Sequence, residues 1–392
     1  MFVPLLDKRL VVDLASKCLT AILALVPPKP RQVCFISSPD LSDNAWAFFR
    51  YLAKHASHEV EWIWLVANIQ ASREKLLEMH GTERNVRIAR KRTLKGLFLF
   101  LRSKYTFHTH GHYYFFRGSK TRTIVNLWHG MPLKTIELLD LRARRTPFYS
   151  DYAISTSAFF QKVIAQAFGV PDSRVLISGL PRNDALRVKR PIPRYLELPE
   201  HTRVAVWMPT FRRSFFGDVR ADSKSDVITS DLLKAVDDLL GDTHTVCILK
   251  LHPMDHLNGY LNETFENIRV LRAADDNGKH DYYEELLAAA DCLVTDFSSV
   301  FIDFALTRRP IGFYIPDRDR YVRGFIDDVL KNVGFPGARL STAVEIANFM
   351  AGDLSTEIPA SSFECMHANA DMEACKTLHT SLVQRGHLTE IV

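Results

Sequence analysis

The feature that most constrains this chain is a rhythm. Short apolar runs alternate with helical patterns, break at Pro191-Ile192-Pro193, and then start again. Before the break Val33–Ile36, Val60–Val66, Tyr105–Thr109 and Thr123–Trp128 read as strands, with helices predicted over Asn44–His55 and Leu94–Leu101. After it Val204–Trp207, Thr245–Lys250, Ile268–Leu271, Cys292–Val294 and Ile311–Tyr314 continue the pattern. Strands separated by helices build βαβ units and therefore parallel sheets. The expected fold class is α/β, two Rossmann-like domains facing a central cleft, with a hinge near residues 187–200. The expected layout is an amphipathic helix over 1–30, domains over 31–190 and 191–350, and a helical segment over 351–392. In open parallel sheets ligands bind beyond the carboxyl ends of the strands, so the residues that follow strands are the candidates for chemistry.

Composition narrows the class. With 47% hydrophobic and 24% charged residues the chain is globular rather than disordered or fibrous. Fifty Lys and Arg against 45 Asp and Glu give +5, too mild for a dedicated nucleic-acid binder but compatible with an anionic substrate or membrane surface. Six cysteines lack CxxC spacing, which indicates neither a disulfide framework nor a zinc site and points to a reducing, cytoplasmic compartment.

From Leu5 to Val26 the polar residues Arg9, Asp13, Ser16, Lys17 and Thr20 share one helical face. The longest uncharged stretch, Cys18–Pro28, has 11 residues, well short of the roughly 20 that span a bilayer. Pro27-Pro28-Lys29-Pro30 follows where a signal peptide would carry its cleavage site. Two readings stay open: a helix packed on its own domain, or one lying in the membrane interface, helped by the basic run Arg84, Arg87, Arg90, Lys91, Arg92 and Lys95.

Four strand ends carry reactive groups. Thr123–Trp128 runs into His129-Gly130-Met131-Pro132-Leu133-Lys134, which sets a histidine at a carboxyl edge beside Gly for close approach and Pro for the turn. Its near-neutral pKa suits a general base. The second half ends strands in Pro209-Thr210-Phe211-Arg212 and Lys250-Leu251-His252-Pro253, groups suited to neutralising a diphosphate. A fourth apolar strand ends in Thr295-Asp296, and Ser298-Ser299 opens an apolar helix, as an anion site or as a plain N-cap. The weaker signals are Asp317-Arg318-Asp319, a DxD in a polar loop expected to be solvated, and His108, His110 and His112, which alternate as zinc ligands on a strand would. Neither GxGxxG nor GxxxxGK[ST] occurs, which removes the ordinary dinucleotide and P-loop readings.

The stretch Asn126–Lys134 resembles the WHGTPLK signature of the CDP-glycerol glycerophosphotransferases, the teichoic acid primases and polymerases. Ser42-Asp43-Asn44-Ala45, Gly179–Asp184, Pro209–Arg212, Leu251–Pro253, Val294–Val300, Arg309–Tyr314 and Arg323–Phe325 agree in order, over roughly residues 30–330. Met131 stands where the family has Thr, and Phe297 where it has Tyr. The resemblance implies a GT-B fold and transfer of a polyol phosphate, glycerol phosphate foremost, from a CDP-polyol to a hydroxyl of a lipid-linked or polymeric acceptor. CMP is released, in teichoic acid or teichoic-acid-like capsule synthesis. It implies His129 and His252 as catalytic residues. Arg212, Thr210, Thr295, Asp296, Ser298 and Ser299 fall on the donor diphosphate, and Asn44, Gly130 and Lys134 on the acceptor side. No essential cofactor or metal is expected, and the chain is expected at the inner face of the membrane. A GT-B glycosyltransferase using a CMP- or UDP-sugar and a non-catalytic membrane-associated module are the competing readings. Glycerol against ribitol and primase against polymerase stay open.

Overall fold

The protein is described here from a computed structural model, over residues 8–77, 85–140, 147–210, 227–251, 263–271, 282–321, 324–353, 357–369, 371 and 373–391, with backbone alone for 8–15 and 282–284. Among these residues the first sheet has seven strands: β1 (Lys29–Ile36), β2 (Glu61–Val66), β3 (Val86–Arg90), β4 (Ser103–His108), β5 (Thr123–Asn126), β6 (Tyr152–Ser155) and β7 (Val175–Ile177). All pairings are parallel, in spatial order β3-β2-β1-β4-β5-β6-β7. The order runs outward in both directions from β1 and β4, so the topological switch point lies between them. Its helices are α1 (Lys8–Leu23), α2 (Asp43–His55), α3 (Ile69–Leu77), α4 (Leu94–Arg102) and α5 (Ala158–Phe168). Strand β2 reads Glu-Trp-Ile-Trp-Leu-Val with its last five residues buried, the composition of a strand covered on both faces. Phe35 stacks on Trp64 and Phe107 at 5.2 and 5.3 Å, and α2 adds Phe48 and Phe49 to the same cluster.

The second sheet has six described strands: β8 (Arg203–Met208), β9 (Thr245–Lys250), β10 (Ile268–Leu271), β11 (Cys292–Thr295), β12 (Ile311–Tyr314) and β13 (Ala338–Leu340). They are parallel in the order β10-β9-β8-β11-β12-β13, which puts this switch point between β8 and β11. Helices α6 (Ser230–Leu240), α7 (Tyr282–Ala289), α8 (Val300–Phe304), α9 (Asp327–Asn332), α10 (Ala343–Ala351) and α11 (Ala360–Met366) accompany it, and α12 (Ala374–Val383) ends the chain's regular structure. Leu233, Val236 and Leu240 of α6 and Ile346, Phe349 and Met350 of α10 bury against Ala205, Trp207 and Val294. A reciprocal Thr342 and Glu345 capping box starts α10.

The chain divides into two compact units that are not sequential. Residues 1–129, 141–182 and 372–392 form the first, and 130–140 with 183–371 form the second. The segment following His129 thus belongs to the second unit, and the C-terminal helices split, α11 in the second and α12 in the first.

Two expectations change. In α1 the polar residues Ser16 and Thr20 face the protein: Thr20 Oγ1 donates to Phe115 O at 3.1 Å and accepts from the Arg117 N–H at 2.8 Å. Leu19, Ile22 and Leu25 are 40%, 64% and 80% exposed instead. Asp317, expected to be solvated, is buried.

Candidate functional site

On the first unit the carboxyl edge is held by one amide. Asn44, in the first turn of α2, is fully buried. Its Nδ2 donates to Leu127 O at 3.1 Å and Trp128 O at 2.9 Å, and its Oδ1 accepts from the Arg182 N–H at 3.1 Å. The loops that follow β1, β5 and β7 are therefore joined at a single side chain. Beside it the Asp43 carboxylate takes the Arg182 guanidinium at 2.7 Å, with both side chains about nine-tenths buried. Asn44, expected on the acceptor, is committed to the backbone.

That backbone carries His129. The chain leaves β5 with Asn126 Oδ1 accepting the Trp128 N–H at 2.9 Å, and Trp128 adopts a left-handed φ of +46°. An aromatic residue holds that conformation only when its surroundings impose it. Gly130, at φ +141°, follows in a region that side chains rarely adopt. His129 is half-buried. Its Nδ1 lies 3.5 Å from Thr109 O, and its ring is nearly parallel to that of His110, centroids 4.2 Å apart and planes 7° apart. Trp128 touches the His129 ring at 3.9 Å.

His108, His110 and His112 do not act as three alternating strand positions, because β4 ends at His108. His108 Nδ1 accepts from the Gly111 N–H, and His112 Nε2 meets Tyr149 O at 2.7 Å. Burial lowers the pKa of His108 well below the usual range and that of His112 to about 4. Both rings are neutral parts of the support. No cluster of metal-ligating side chains occurs among the described residues. Lys91, a member of the basic run, donates to Asp40 Oδ1 at 2.7 Å and Ser37 O at 2.5 Å, tying the edge after β3 to the turn after β1.

On the second unit the same logic recurs. Asp296 follows β11 and is buried; it accepts from the Thr210 N–H at 2.9 and 3.1 Å and from the Thr210 hydroxyl at 2.7 Å. Thr295 Oγ1 donates to Met208 O at 2.7 Å. Thr210, Thr295 and Asp296 thus fasten the start of the loop leaving β8 at the switch point. Ser298 and Ser299 are half-buried ahead of α8, where Ser298 Oγ accepts from the Val300 N–H at 3.4 Å and Ser299 makes no side-chain cap. Arg212 and His252 lie outside the described residues.

The segment after His129 is anchored within the second unit. Lys134 pairs antiparallel with Phe325, the Thr135 N–H donates to Gly324 O at 2.9 Å, and the Ile326 N–H donates to Leu133 O at 3.1 Å. Lys134 Nζ sits 5.9 Å from the centroid of the Tyr321 ring. The structure thus keeps Asn44 and His129 on one unit and groups Lys134, Thr210, Thr295, Asp296, Ser298 and Ser299 on the other. Sequence reasoning missed the contacts of Arg182 and the stacking of His110 on His129. Arg182 was visible only as a motif member, and His110 was weighed as a metal ligand.

Known proteins resemble this chain over most of its length. The family described as CDP-glycerol:poly(glycerophosphate) glycerophosphotransferase matches residues 19–361. A teichoic acid glycerol-phosphate transferase of Staphylococcus aureus is 26% identical over 328 residues, covering 77% of this chain and 79% of that protein. A teichoic acid poly(glycerol phosphate) polymerase of Bacillus spizizenii is 28% identical over 352 residues, covering 83% and 84%. The solved structure of the wall teichoic acid polymerase TagF superposes with a TM-score of 0.66 at 20% identity, covering 96% of this chain and 92% of that one.

Proposed function

The chain belongs to the CDP-glycerol:poly(glycerophosphate) glycerophosphotransferase family, and from that premise we propose that it transfers glycerol phosphate from CDP-glycerol to a hydroxyl of a lipid-linked or polymeric teichoic acid acceptor. The acceptor oxygen attacks the glycerol-bearing phosphorus, a phosphodiester forms, the diphosphate bridge breaks, and CMP leaves with the bridging oxygen. The hydroxyl proton goes to His129. Such transfers rest mainly on positioning and electrostatic stabilisation. The observation that carries the reading is the stapled edge: Asn44 fixes the Leu127 and Trp128 carbonyls and so the backbone that presents a half-buried His129.

The donor role falls to the second unit. Arg212 and His252 are proposed to meet the diphosphate together with Ser298, Ser299 and Lys134, whereas Asp296, Thr210 and Thr295 act by fastening the chain at Met208 and Thr210, ahead of Arg212 in the sequence. These groups would supply the charge stabilisation without an essential metal, so turnover is expected to persist in a chelator. We place the enzyme peripherally at the inner membrane face. Among the described residues no helix is long and apolar enough to cross a membrane. The outward Leu19, Ile22 and Leu25 of the α1 region, beside exposed Lys17, support contact with an anionic surface.

The test is CMP release from CDP-glycerol with a lipid-linked glycerol phosphate acceptor. Wild type should release CMP in step with chain addition, and His129→Ala should be slower by roughly 100-fold or more. No CMP from CDP-glycerol would reject the transferase assignment, and full turnover by a folded His129→Ala protein would reject the base.

A further inference from the structure

We propose that His110 is a positioning residue of the transfer reaction: stacked flat on His129, it fixes the plane of the base and offers a neutral ring face to the imidazolium that forms there. The inference rests on His129 being the base. Its ground is the parallel pair itself, with centroids 4.2 Å apart and planes 7° apart.

One residue supports both rings. Thr109 is buried, and its N–H donates to Ile36 O at 3.1 Å, which extends the pairing of β4 with β1 by one residue. Its hydroxyl meets His110 Nδ1 at 2.8 Å, while its carbonyl lies 3.5 Å from His129 Nδ1. Trp128 also lies against His129, with ring centroids 3.9 Å apart and planes 36° apart, so His129 has two aromatic neighbours that resist turning of its ring about Cβ–Cγ. The carbonyl facing Nδ1 favours a proton there and leaves Nε2 to accept one from the acceptor hydroxyl.

The charges around His110 bear on its protonation. Desolvation lowers its pKa even though the residue keeps an exposed edge; the Asp43 carboxylate opposes that shift, and Lys91 and Arg182 reinforce it. Asp43 is engaged by Arg182 and Lys91 by Asp40, both at 2.7 Å, and the neighbouring His108 is itself held neutral. When His129 takes the proton, a neutral π face at this spacing attracts the new cation, whereas a second imidazolium would repel it.

The test uses the full chain with CDP-glycerol and a lipid-linked acceptor, comparing His110→Ala, His110→Phe and His110→Lys by pH profiles of kcat and kcat/KM. Ala should lower kcat by about tenfold with the KM for CDP-glycerol unchanged, since misaligned groups lose rate rather than remote binding. Phe, which restores a flat neutral ring, should recover most of that loss. Lys places a permanent cation beside the base and should move the acidic limb of the profile down by roughly one pH unit. Wild-type kcat in the Ala variant, Phe as slow as Ala, or an unmoved acidic limb in Lys would each overturn the proposal. His129→Ala, run alongside, separates the two claims. If it is inactive while the His110 variants behave as wild type, only the stacking role falls. If it stays active, the base assignment falls and takes this inference with it.

Discussion

Asn44 offers the sharpest perturbation because its three hydrogen bonds join three loops and none reaches solvent. Asn44→Ala strands the Leu127 and Trp128 carbonyls and the Arg182 N–H in a buried position. Net hydrogen bonds are worth about 1 kcal/mol each, and unsatisfied buried groups add more, so a loss of about 3–4 kcal/mol is expected, near the upper end for a single substitution. Asn44→Asp is nearly isosteric but aims an oxygen at the two carbonyls that the amide nitrogen had satisfied. The Arg182 guanidinium would offset this little, being already engaged by Asp43. Burial raises the pKa of the introduced carboxyl, so its folded form binds a proton more tightly than its unfolded form. The variant's deficit should therefore be largest near neutral pH and shrink as pH falls toward 4. Denaturant unfolding from pH 4 to 8 measures this, and kinetics measure the consequence for His129. With the Trp128 backbone released from its left-handed φ, kcat should fall by roughly 100-fold while the KM for CDP-glycerol holds. A stable Asn44→Ala protein with normal kcat and a raised KM for the acceptor alone would refute this and return Asn44 to the acceptor-binding role read from the sequence.

Asp296→Ala should destabilise the second unit by about 2–4 kcal/mol and weaken CDP binding, because it unpairs the Thr210 N–H and hydroxyl; unchanged stability with lost CDP affinity, by denaturation and calorimetric titration, would instead mark a direct donor contact. Burial lowers the pKa of His367 to about 4, so the unfolded chain takes up its proton first, and stability should be complete above pH 6.5 and fall between 6.5 and 4, by up to ~3 kcal/mol for this group. His367→Gln keeps a donor for Ile302 O and should flatten that fall in pH-dependent unfolding; an unchanged acid slope counts against the argument. Replacing Ile22 and Leu25 by Ser should reduce co-sedimentation with anionic liposomes while leaving the melting temperature within about 2 °C, as both are exposed; equal liposome binding would remove α1 from the membrane contact.

The long strands were legible because parallel strands covered on both faces are continuous apolar runs, as Trp62–Val66 shows. The edges were not. Strand β3, Val-Arg-Ile-Ala-Arg, has one buried residue and reads as part of a basic run, and β6, β7 and β13 have only three or four residues each. For the site, sequence marks which polar residues follow strands but not what they face. Asn44, Thr210, Thr295 and Asp296 all lie at carboxyl edges, yet each binds groups contributed by a segment more than eighty residues away. The same limit governs α1. Periodicity defines its two faces, but the choice of the Ser16 and Thr20 face is made by the Phe115 carbonyl and the Arg117 N–H, about 95 residues on.

This division of labour also bears on the two departures from the family signature. Met131 is fully buried, and Phe297 is fully buried against Tyr321, Phe325 and Phe335 at 4.2, 5.2 and 6.2 Å. A Thr hydroxyl at 131 or a Tyr hydroxyl at 297 would need a buried partner, so changes at these positions act first on packing and on the loops they support. Neither side chain reaches solvent, where a polyol would be read. Among the described residues His110, His129, Lys134, Ser298 and Ser299 are candidate polar groups that do reach it beside the strand ends. A preference for glycerol over ribitol is then expected from those exposed groups and from the segments carrying Arg212 and His252, rather than from positions 131 and 297. It follows that Met131→Thr and Phe297→Tyr should shift stability while leaving the ratio of kcat/KM values for the two CDP-polyols where it was.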